Sequence, residues 1–180
     1  MNDSKIPVRY AKALFDLATD KKVTDQVYKD MINIQKIVQL KDVHEMLLSP
    51  VIPGSQKNKI LKKVMTVGFQ DITMSFIDMV FKNKREIYFN GIAHNYIQRY
   101  KSSKNIKSVE LTTAVKIKES HVEVFKAQVL KTYKATIEMV EKVDPDIVGG
   151  FVIQVDDILY DASVKRQLRN IEQELIKEKI

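Results

Sequence analysis

The chain has 180 residues, of which 44% are hydrophobic and 29% charged, and it has no cysteine. This composition predicts a folded globular protein with one core or two small ones, and it excludes disulfide bonds and thiolate chemistry. The longest stretch without Asp, Glu, Lys or Arg, Ile87 to Gln98, is much shorter than the roughly 20 residues that cross a bilayer. Residues Met1–Lys5 contain no signal-like apolar segment, so we expect a cytoplasmic protein.

The net charge of +7 is unevenly distributed along the chain. Residues 1–105 carry 18 basic and 10 acidic side chains, whereas residues 106–180 carry 12 and 13. This asymmetry favours an acidic partner for the first part, and a protein, a nucleic acid and a membrane surface would all satisfy it. A lysine-rich surface that contacts only water explains the charge equally well.

Six segments before residue 104 have apolar residues at helical spacing. Pro7 fixes the first turn of helix one, which runs toward Asp20. Thr24 is the expected N-cap of helix two, Lys41–Leu48 forms helix three, and Ser55 is the expected N-cap of helix four after a loop with two prolines. The predicted inward residues of helices four, five and six are Ile60, Leu61 and Val64; Ile72, Phe76, Met79 and Val80; and Phe89, Ile92, Tyr96, Ile97 and Tyr100.

The fifth helix begins at Asp71, and a polar break at residues 83–85 separates it from the sixth. The run Ser102–Asn105 is the longest polar linker candidate, and the residue pattern changes its period directly after it. We therefore predict an α+β protein in which a six-helix bundle, residues 1–104, precedes a small α/β domain, residues 106–180.

The second domain has the predicted order β-α-β-β-β-α. Its closing helix has Ser163 as N-cap, and Gly149-Gly150 either bends a buried strand or lets another backbone approach. The predicted elements are strand 109–113, helix 120–133, strands 136–140, 147–155 and 158–160, and a helix from 163 to 180 with the apolar stripe Val164, Leu168, Ile171 and Leu175.

Two motifs near the C-terminus carry a family resemblance. Asp-Pro-x-Ile-Val-Gly-Gly-Phe at 144–151 and Asp-x-Ser-Val-Lys-x-x-Leu at 161–168 resemble the C-terminal signature of the delta subunit of bacterial F-type ATP synthases, the family of the oligomycin-sensitivity-conferring protein. Arg9–Ala18 resembles the opening helix of that family, Ser49-Pro50 with Lys57 its mid-bundle loop, and Leu111–Ala114 the first strand of its second domain. One departure is Ala162, where the family usually has Gly, which would matter if that turn needs a positive φ.

The resemblance implies a non-catalytic peripheral-stalk, or stator, subunit that links the α3β3 head to the b subunits and supports rotary proton-driven ATP synthesis. It implies that the bundle binds the N-terminal helix of an α subunit and that the second domain meets the C-terminal region of b. It also implies a position at the cytoplasmic face of the bacterial inner membrane, where the protein is membrane-associated only through the complex of F1 and Fo sectors.

The resemblance places the α-subunit groove between helices one and five. A small bundle needs most of its apolar residues inside, so we expect about half of the candidates to be core. The candidates are Tyr10, Ala11, Leu14, Phe15, Phe76, Met79 and Val80, with Lys12 and Arg85 as rim charges.

Other functions have weaker support in the sequence. The acidic residues near the hairpin do not match a calcium-binding loop, and the three histidines lack metal-ligand spacing, so we expect no metal, cofactor or catalytic site. A basic nucleic-acid-binding protein is the alternative suggested by the pI of about 9.4, but no recognised nucleic-acid-binding motif is present. The acidic residues are Asp144, Asp146, Asp156, Asp157 and Asp161, and the histidines are His44, His94 and His121. A cluster of lysines at the start of helix four could hold phosphates, but we expect it to be a solvated face: Lys57, Lys59, Lys62 and Lys63.

Overall fold

The computed structural model of the chain describes residues 5–65, 68–133, 135–156 and 158–177. Within these ranges the fold is α+β, with α-helices and one mixed four-stranded sheet. The chain divides into two compact units, the helical unit, which ends at Ser103, and the sheet unit, which begins at Lys104.

The described part of the helical unit contains six α-helices. Both α1 and α2 pack along α6, which therefore forms the centre of the unit. The helices are α1 (Lys5–Asp20), α2 (Thr24–Gln39), α3 (Lys41–Leu48), α4 (Gly54–Val64), α5 (Asp71–Lys82) and α6 (Phe89–Ser103), with a 3-10 turn at Glu86–Tyr88 before α6.

Large apolar side chains fill the interior of the helical unit. Tyr96 and Phe89 of α6 are among its largest fully buried side chains, and the Phe15 and Tyr96 ring centroids lie 5.7 Å apart. Burying such side chains provides about 1.5–3 kcal/mol each, so these contacts dominate the stability of the unit. The predicted inward residues of α6 are confirmed: Phe89, Ile92, Tyr96, Ile97 and Tyr100 are all buried.

Two predicted N-caps are wrong. Thr24 is the first residue of α2, and Val23 occupies the cap position because the turn after α1 closes through Lys22, whose φ is 57°. Ser55 is the second residue of α4, and the cap position belongs to Pro53, which has no side-chain donor or acceptor. The turn backbone at Lys22 and Val23 therefore defines the start of α2, and Pro53 defines the start of α4; neither start has a hydroxyl cap.

The predicted inward face of α4 is only partly correct. Leu61 is fully buried, but Ile60 and Val64 are 42% and 40% exposed. The reason is that Lys57, one turn before Leu61, takes the second inward position, so the neighbouring stripe of Ile60 and Val64 faces outward. Met79 of α5 is likewise 40% exposed, whereas Ile72, Phe76 and Val80 are buried as predicted.

The sheet unit has the predicted element order, with the strands β2-β1-β3-β4 side by side. β1 pairs with β2 in parallel through the crossover helix α7, and the β1–β3 and β3–β4 pairs are antiparallel. The elements are β1 (Ile106–Thr113), α7 (Glu119–Tyr133), β2 (Thr136–Val143), a 3-10 turn (Pro145–Ile147), β3 (Gly150–Val155), β4 (Ile158–Ser163) and α8 (Val164–Lys177).

The predicted strand 147–155 begins too early, because Ile147 ends a 3-10 turn and β3 starts at Gly150. The Asp144 carboxylate accepts the Asp146 N–H at 3.0 Å, and Pro145 accepts the Val148 N–H, which closes the turn before the strand begins. The three other strand predictions are short by three residues each, since β1 begins at Ile106, β2 reaches Val143 and β4 reaches Ser163.

The paired glycines allow a close backbone approach, which was one of the two predicted roles. A Cβ on Gly150 would lie 2.3 Å from the Ala162 carbonyl oxygen, so a side chain there cannot fit. Gly150 also has φ +75°, a conformation that favours glycine. Ala162 itself lies inside β4 and has no positive φ, so the departure from the family pattern needs no strained residue.

Candidate protein-docking surfaces

The helices α1 and α5 meet at Tyr10. Its ring lies edge-on to Phe76, with centroids 6.3 Å apart, and its hydroxyl accepts a hydrogen bond from Asn83 Nδ2 at 3.2 Å. Tyr10 is only partly buried, so one side of this junction is open to solvent. Met79 of α5 is 40% exposed and is another accessible apolar side chain among the nine candidates.

The nine predicted groove residues fall into three groups by burial. Ala11, Leu14, Phe76 and Val80 are at most 6% exposed and form part of the core. The half-buried members are Tyr10 and Phe15, and the exposed members are Lys12, Met79 and Arg85.

The helix geometry divides the α1 candidates between two flanks. Each residue advances about 100° around an α-helix, so Leu17 follows Tyr10 and Leu14 along one stripe. Leu17 is 44% exposed and was not among the predicted groove residues, although its spacing from Tyr10 could have revealed it. Phe15 packs instead toward α6, and Lys12 lies about 200° round from Tyr10, on the same flank as Phe15.

This second flank of α1 borders a cavity of about 440 Å³ beside α6. Val8, which is 48% exposed, and Phe15 provide its apolar wall, and Asn95 and Arg99 provide polar groups. Helix α1 thus has accessible apolar side chains on both flanks.

A buried carboxylate fixes the start of α5. Asp30 of α2 is 6% exposed and accepts hydrogen bonds from the Thr73 hydroxyl at 2.6 Å and the Gln70 N–H at 3.0 Å. These donors belong to the first turn of α5, where backbone N–H groups lack helical partners. This contact was not predicted, although the helical spacing of Asp30 between Val27 and Ile34 places it on the inward face of α2.

Lys57 is not part of a solvated face, so that part of the lysine-cluster prediction is wrong. It is 4% exposed, and its Nζ donates to the Leu47 carbonyl at 2.8 Å and to Glu86 Oε1 at 3.3 Å. The ammonium group therefore joins the C-terminal end of α3 to the 3-10 turn, where it also complements the α3 dipole. The second Glu86 oxygen, Oε2, is buried without a hydrogen-bond partner in the described ranges.

The other lysines of the cluster lie closer to solvent. Lys59 and Lys63 are exposed, and Lys62 pairs with Asp78 at 2.6 Å. Hydrogen bonds from Asn58 and Lys62 lower the pKa of the exposed Asp78 carboxyl below its usual value. This ion pair lies at the surface, where such pairs contribute about 0–1 kcal/mol.

Helix α8 begins with the cap that the sequence predicted. Ser163 Oγ accepts the Arg166 N–H at 3.1 Å, and the Asp161 carboxylate accepts the Ser163 N–H at 2.9 Å. The hydrogen bonds from Ser163 lower the pKa of Asp161. These two bonds fix the direction in which α8 leaves β4.

The apolar stripe of α8 faces outward. Val164 is half-buried, but Leu168 and Ile171 are 56% and 53% exposed, and the side chain of Leu175 lies outside the described residues. The predicted extension to residue 180 passes beyond Lys177, the last residue that the structure describes. The stripe is therefore amphipathic surface that the sheet of this chain leaves uncovered.

The acidic residues of the sheet unit have local structural roles. Asp144 caps the 3-10 turn, and Asp156 pairs with Lys107 at 2.6 Å and raises the pKa of that lysine; Asp157 lies outside the described residues. Across the ranges that the structure covers, no three His, Cys, Asp or Glu side chains are grouped closely enough to hold a metal ion. The histidines are exposed and lie on three different helices: His44, His94 and His121.

None of the helices in the described ranges is both long enough and apolar enough to cross a membrane. The features above define a class of protein: an α+β chain of two units, each with accessible apolar side chains on a helix that a partner could contact.

Comparison with known proteins identifies the family. Residues 6–175 match the family model "ATP synthase delta (OSCP) subunit". The ATP synthase subunit delta of Christiangramia forsetii is 36% identical over 97% of this chain and 95% of its own length, and that of Cytophaga hutchinsonii is 33% identical over 95% and 94%. The chain therefore belongs to the ATP synthase delta (OSCP) subunit family.

A solved structure supports the fold independently. A chain of the Toxoplasma gondii mitochondrial ATP synthase hexamer superposes with a TM-score of 0.76 at 19% identity, covering 94% of this chain and 97% of that one. The protein is a non-catalytic peripheral-stalk subunit of F-type ATP synthase, part of a membrane-associated complex that makes ATP. The nucleic-acid alternative has no support in these comparisons.

Proposed function

We propose that residues 1–104 form a six-helix bundle that binds the F1 head, and that residues 106–180 form an α/β domain that meets the peripheral stalk. The division of the chain after Ser103 supports this assignment, because each unit has its own buried residues. The protein then joins head and stalk as a passive strut, so that the head does not turn with the rotor.

The head contact in this proposal is an amphipathic N-terminal helix of an α subunit that lies along the α1–α5 junction. Tyr10, Leu17 and Met79 are the accessible apolar side chains, and Ala11, Leu14, Phe76 and Val80 form the layer beneath them. The rim charge Arg85 is exposed and suits an acidic residue on the partner. Phe15 and Lys12 belong to the opposite flank, so in this proposal they contact the edge of the partner or solvent.

The stalk contact is the outward stripe of α8, which meets the C-terminal region of b. Two features support it: Leu168 and Ile171 are more than half exposed, and Lys165, Arg166 and Glu172 flank them with both charge signs. A mixed-sign helix suits a partner helix with charges of both signs. Through this joint the complex holds the protein at the cytoplasmic face of the bacterial inner membrane.

The exposure of the α8 stripe is the observation that carries the proposal, and it provides the test. Leu168→Asp with Ile171→Asp changes only exposed side chains, so the chain should fold normally. We expect the variant to bind F1 as the wild type does and to lose at least tenfold in affinity for the soluble part of b, because a carboxylate would be desolvated at the contact.

The matched control is Gln173→Asp, which adds a charge about 140° around α8 from Leu168 and about 200° from Ile171, and it should preserve both interactions. Loss of F1 binding in the double variant would show that the two units bind as one. Undiminished binding to b would show that the stalk contact lies elsewhere on the sheet unit.

A further inference from the structure

Helix α8 is exposed on every side over most of its length. In the part of the chain that the structure describes, each side chain from Lys165 to Glu174 is exposed, and so is Ile176. A helix of 14 residues without such packing is only marginally stable in water, because most helical stability in proteins comes from burial of an apolar face. The helix would therefore gain stability from a partner that covers Leu168 and Ile171, which are 56% and 53% exposed.

The charges of α8 are arranged against the dipole of the helix. Lys165 and Arg166 lie in the first turn, which contains no acidic residue, whereas Glu172 and Glu174 lie in the second half. The N-terminal end of a helix has a partial positive charge and the C-terminal end a partial negative charge, so this arrangement disfavours an isolated α8. A complementary partner has acidic groups beside the first turn and basic groups beside the later turns. A second copy of α8 in the antiparallel direction provides both.

Helix geometry defines how two copies fit together. Leu168 and Ile171 lie about 60° apart around α8, so they form one narrow stripe. An antiparallel two-fold pair can set Leu168 of each copy against Ile171 of the other. Lys165 and Glu172 lie within about 20° of each other on one side of this stripe, and in that register their levels along the pair differ by about 3 Å between copies. Two identical Lys165–Glu172 pairs then flank the apolar contact.

We propose that the free chain forms a symmetric dimer through antiparallel pairing of α8, an interaction surface for a second copy that goes beyond the proposed stalk role. The contact is at most about 21 Å long for 14 residues, so it belongs with transient interfaces, which bury less than about 1,200 Å². Pairing covers apolar side chains that the free chain otherwise exposes to non-specific contacts.

Charge reversal in the full-length chain tests the pairing. Lys165→Glu and Glu172→Lys each place like charges across both flanking pairs, so each variant alone should dimerise about tenfold more weakly than the wild type in sedimentation velocity. An equimolar mixture of the two variants has opposite charges at both pairs and should dimerise as the wild type does, and so should the double variant. The control Lys131→Glu makes the same change in net charge on α7 and should dimerise normally.

A wild-type chain that remains monomeric at about 1 mM would overturn the proposal. Dimerisation of both single variants at wild-type strength would also overturn it, because the contact would then lie on another surface. A mixture that dimerises no better than its components would exclude the antiparallel register, provided that far-UV circular dichroism shows both variants folded. None of these measurements involves b, so failure of the pairing leaves the proposed function unchanged.

Discussion

The two units of the chain differ in how many of their apolar side chains they bury. In the helical unit, neighbouring helices cover α6 on several sides. Buried side-chain hydrogen bonds, such as those between Asp30 and Thr73 and between Lys57 and Glu86, also connect its helices. In the sheet unit, the core is smaller, centred on Val109, and apolar side chains on β4 and α8 remain exposed. Among the described residues, the helical unit therefore has the larger buried core, whereas the sheet unit leaves more of its large apolar side chains exposed.

Exposure, more than hydrophobicity, therefore separates the proposed binding residues from the core residues of this chain. Leu14 and Met79 are both apolar residues of the predicted groove, yet one is 1% exposed and the other 40%. Pairs of substitutions, one at a buried residue and one at an exposed residue, can therefore test which residues stabilise the fold and which are available for binding.

The largest expected effect comes from a charge in the core of the helical unit. Leu14→Asp should unfold that unit, because an unpaired buried carboxylate costs several kcal/mol against a typical total stability of about 5–15 kcal/mol. Far-UV circular dichroism during thermal melting measures the effect. Met79→Asp is the matched comparison and should melt as the wild type does while losing affinity for an α N-terminal peptide; a folded Leu14→Asp variant would contradict the burial of that residue.

A second substitution tests the buried ion pair. Lys57→Met leaves the Glu86 carboxylate buried without its cation and should lower the free energy of unfolding by about 3–5 kcal/mol. Replacing both partners, Lys57→Met with Glu86→Leu, should recover most of the loss, because neither buried charge remains. Urea denaturation measures both values. Equal stability of the single and double variants would mean that the charge is hydrated and the pair contributes little.

In the sheet unit, truncation of a buried and an exposed leucine should differ sharply. Leu111→Ala, at a site that is 1% exposed, should cost about 2–5 kcal/mol, whereas Leu168→Ala should change stability by less than about 0.5 kcal/mol. The two free energies of unfolding come from chemical denaturation of the free chain. A large loss for Leu168→Ala would show that α8 packs on its own sheet more closely than its exposure indicates.

Removing the cap of α8 should have a smaller effect. Ser163→Ala deletes the acceptor for the Arg166 N–H and should cost about 1 kcal/mol, whereas Ser163→Thr keeps the hydroxyl acceptor and should cost less. The change is measured as the melting temperature of the sheet unit. Equal Tm values for the two variants would show that the hydroxyl contributes little as a cap.

The smallest effect concerns pH. The pKa of Asp161 is lowered in the folded chain, so its carboxylate stabilises the fold above its unfolded pKa, about 3.9, and this contribution disappears as the pH falls through the lower folded value. Between about pH 5 and pH 2 the Tm of the sheet unit should therefore fall slightly less in Asp161→Asn than in the wild type. Parallel curves for the two proteins would contradict the lowered pKa of Asp161.

The sequence predicted most elements because their apolar residues repeat at clear periods. Helix α6 has buried residues at every predicted position, and β1 alternates as predicted through Val109, Leu111 and Thr113. Helix starts were harder to predict, because the backbone at Lys22 and the ring of Pro53 determine them without the nearby hydroxyls of Thr24 and Ser55.

The candidate site was less predictable than the fold. Spacing alone could not distinguish Leu14 from Leu17, because which of two neighbouring positions is covered depends on where α6 packs. Burial of Lys57 was also not predictable from composition, since its partner Glu86 lies 29 residues away in the sequence. Such contacts depend on tertiary packing.

The order of strands has a mechanical consequence for a peripheral-stalk subunit of ATP synthase. β1 follows directly after the junction at Lys104, and it is the strand with hydrogen-bonded neighbours β2 and β3 along most of its length. A pulling force that enters through residue 104 therefore acts along β1 and loads both ladders in shear. Many hydrogen bonds must then break together, so the unit resists extension where the load enters.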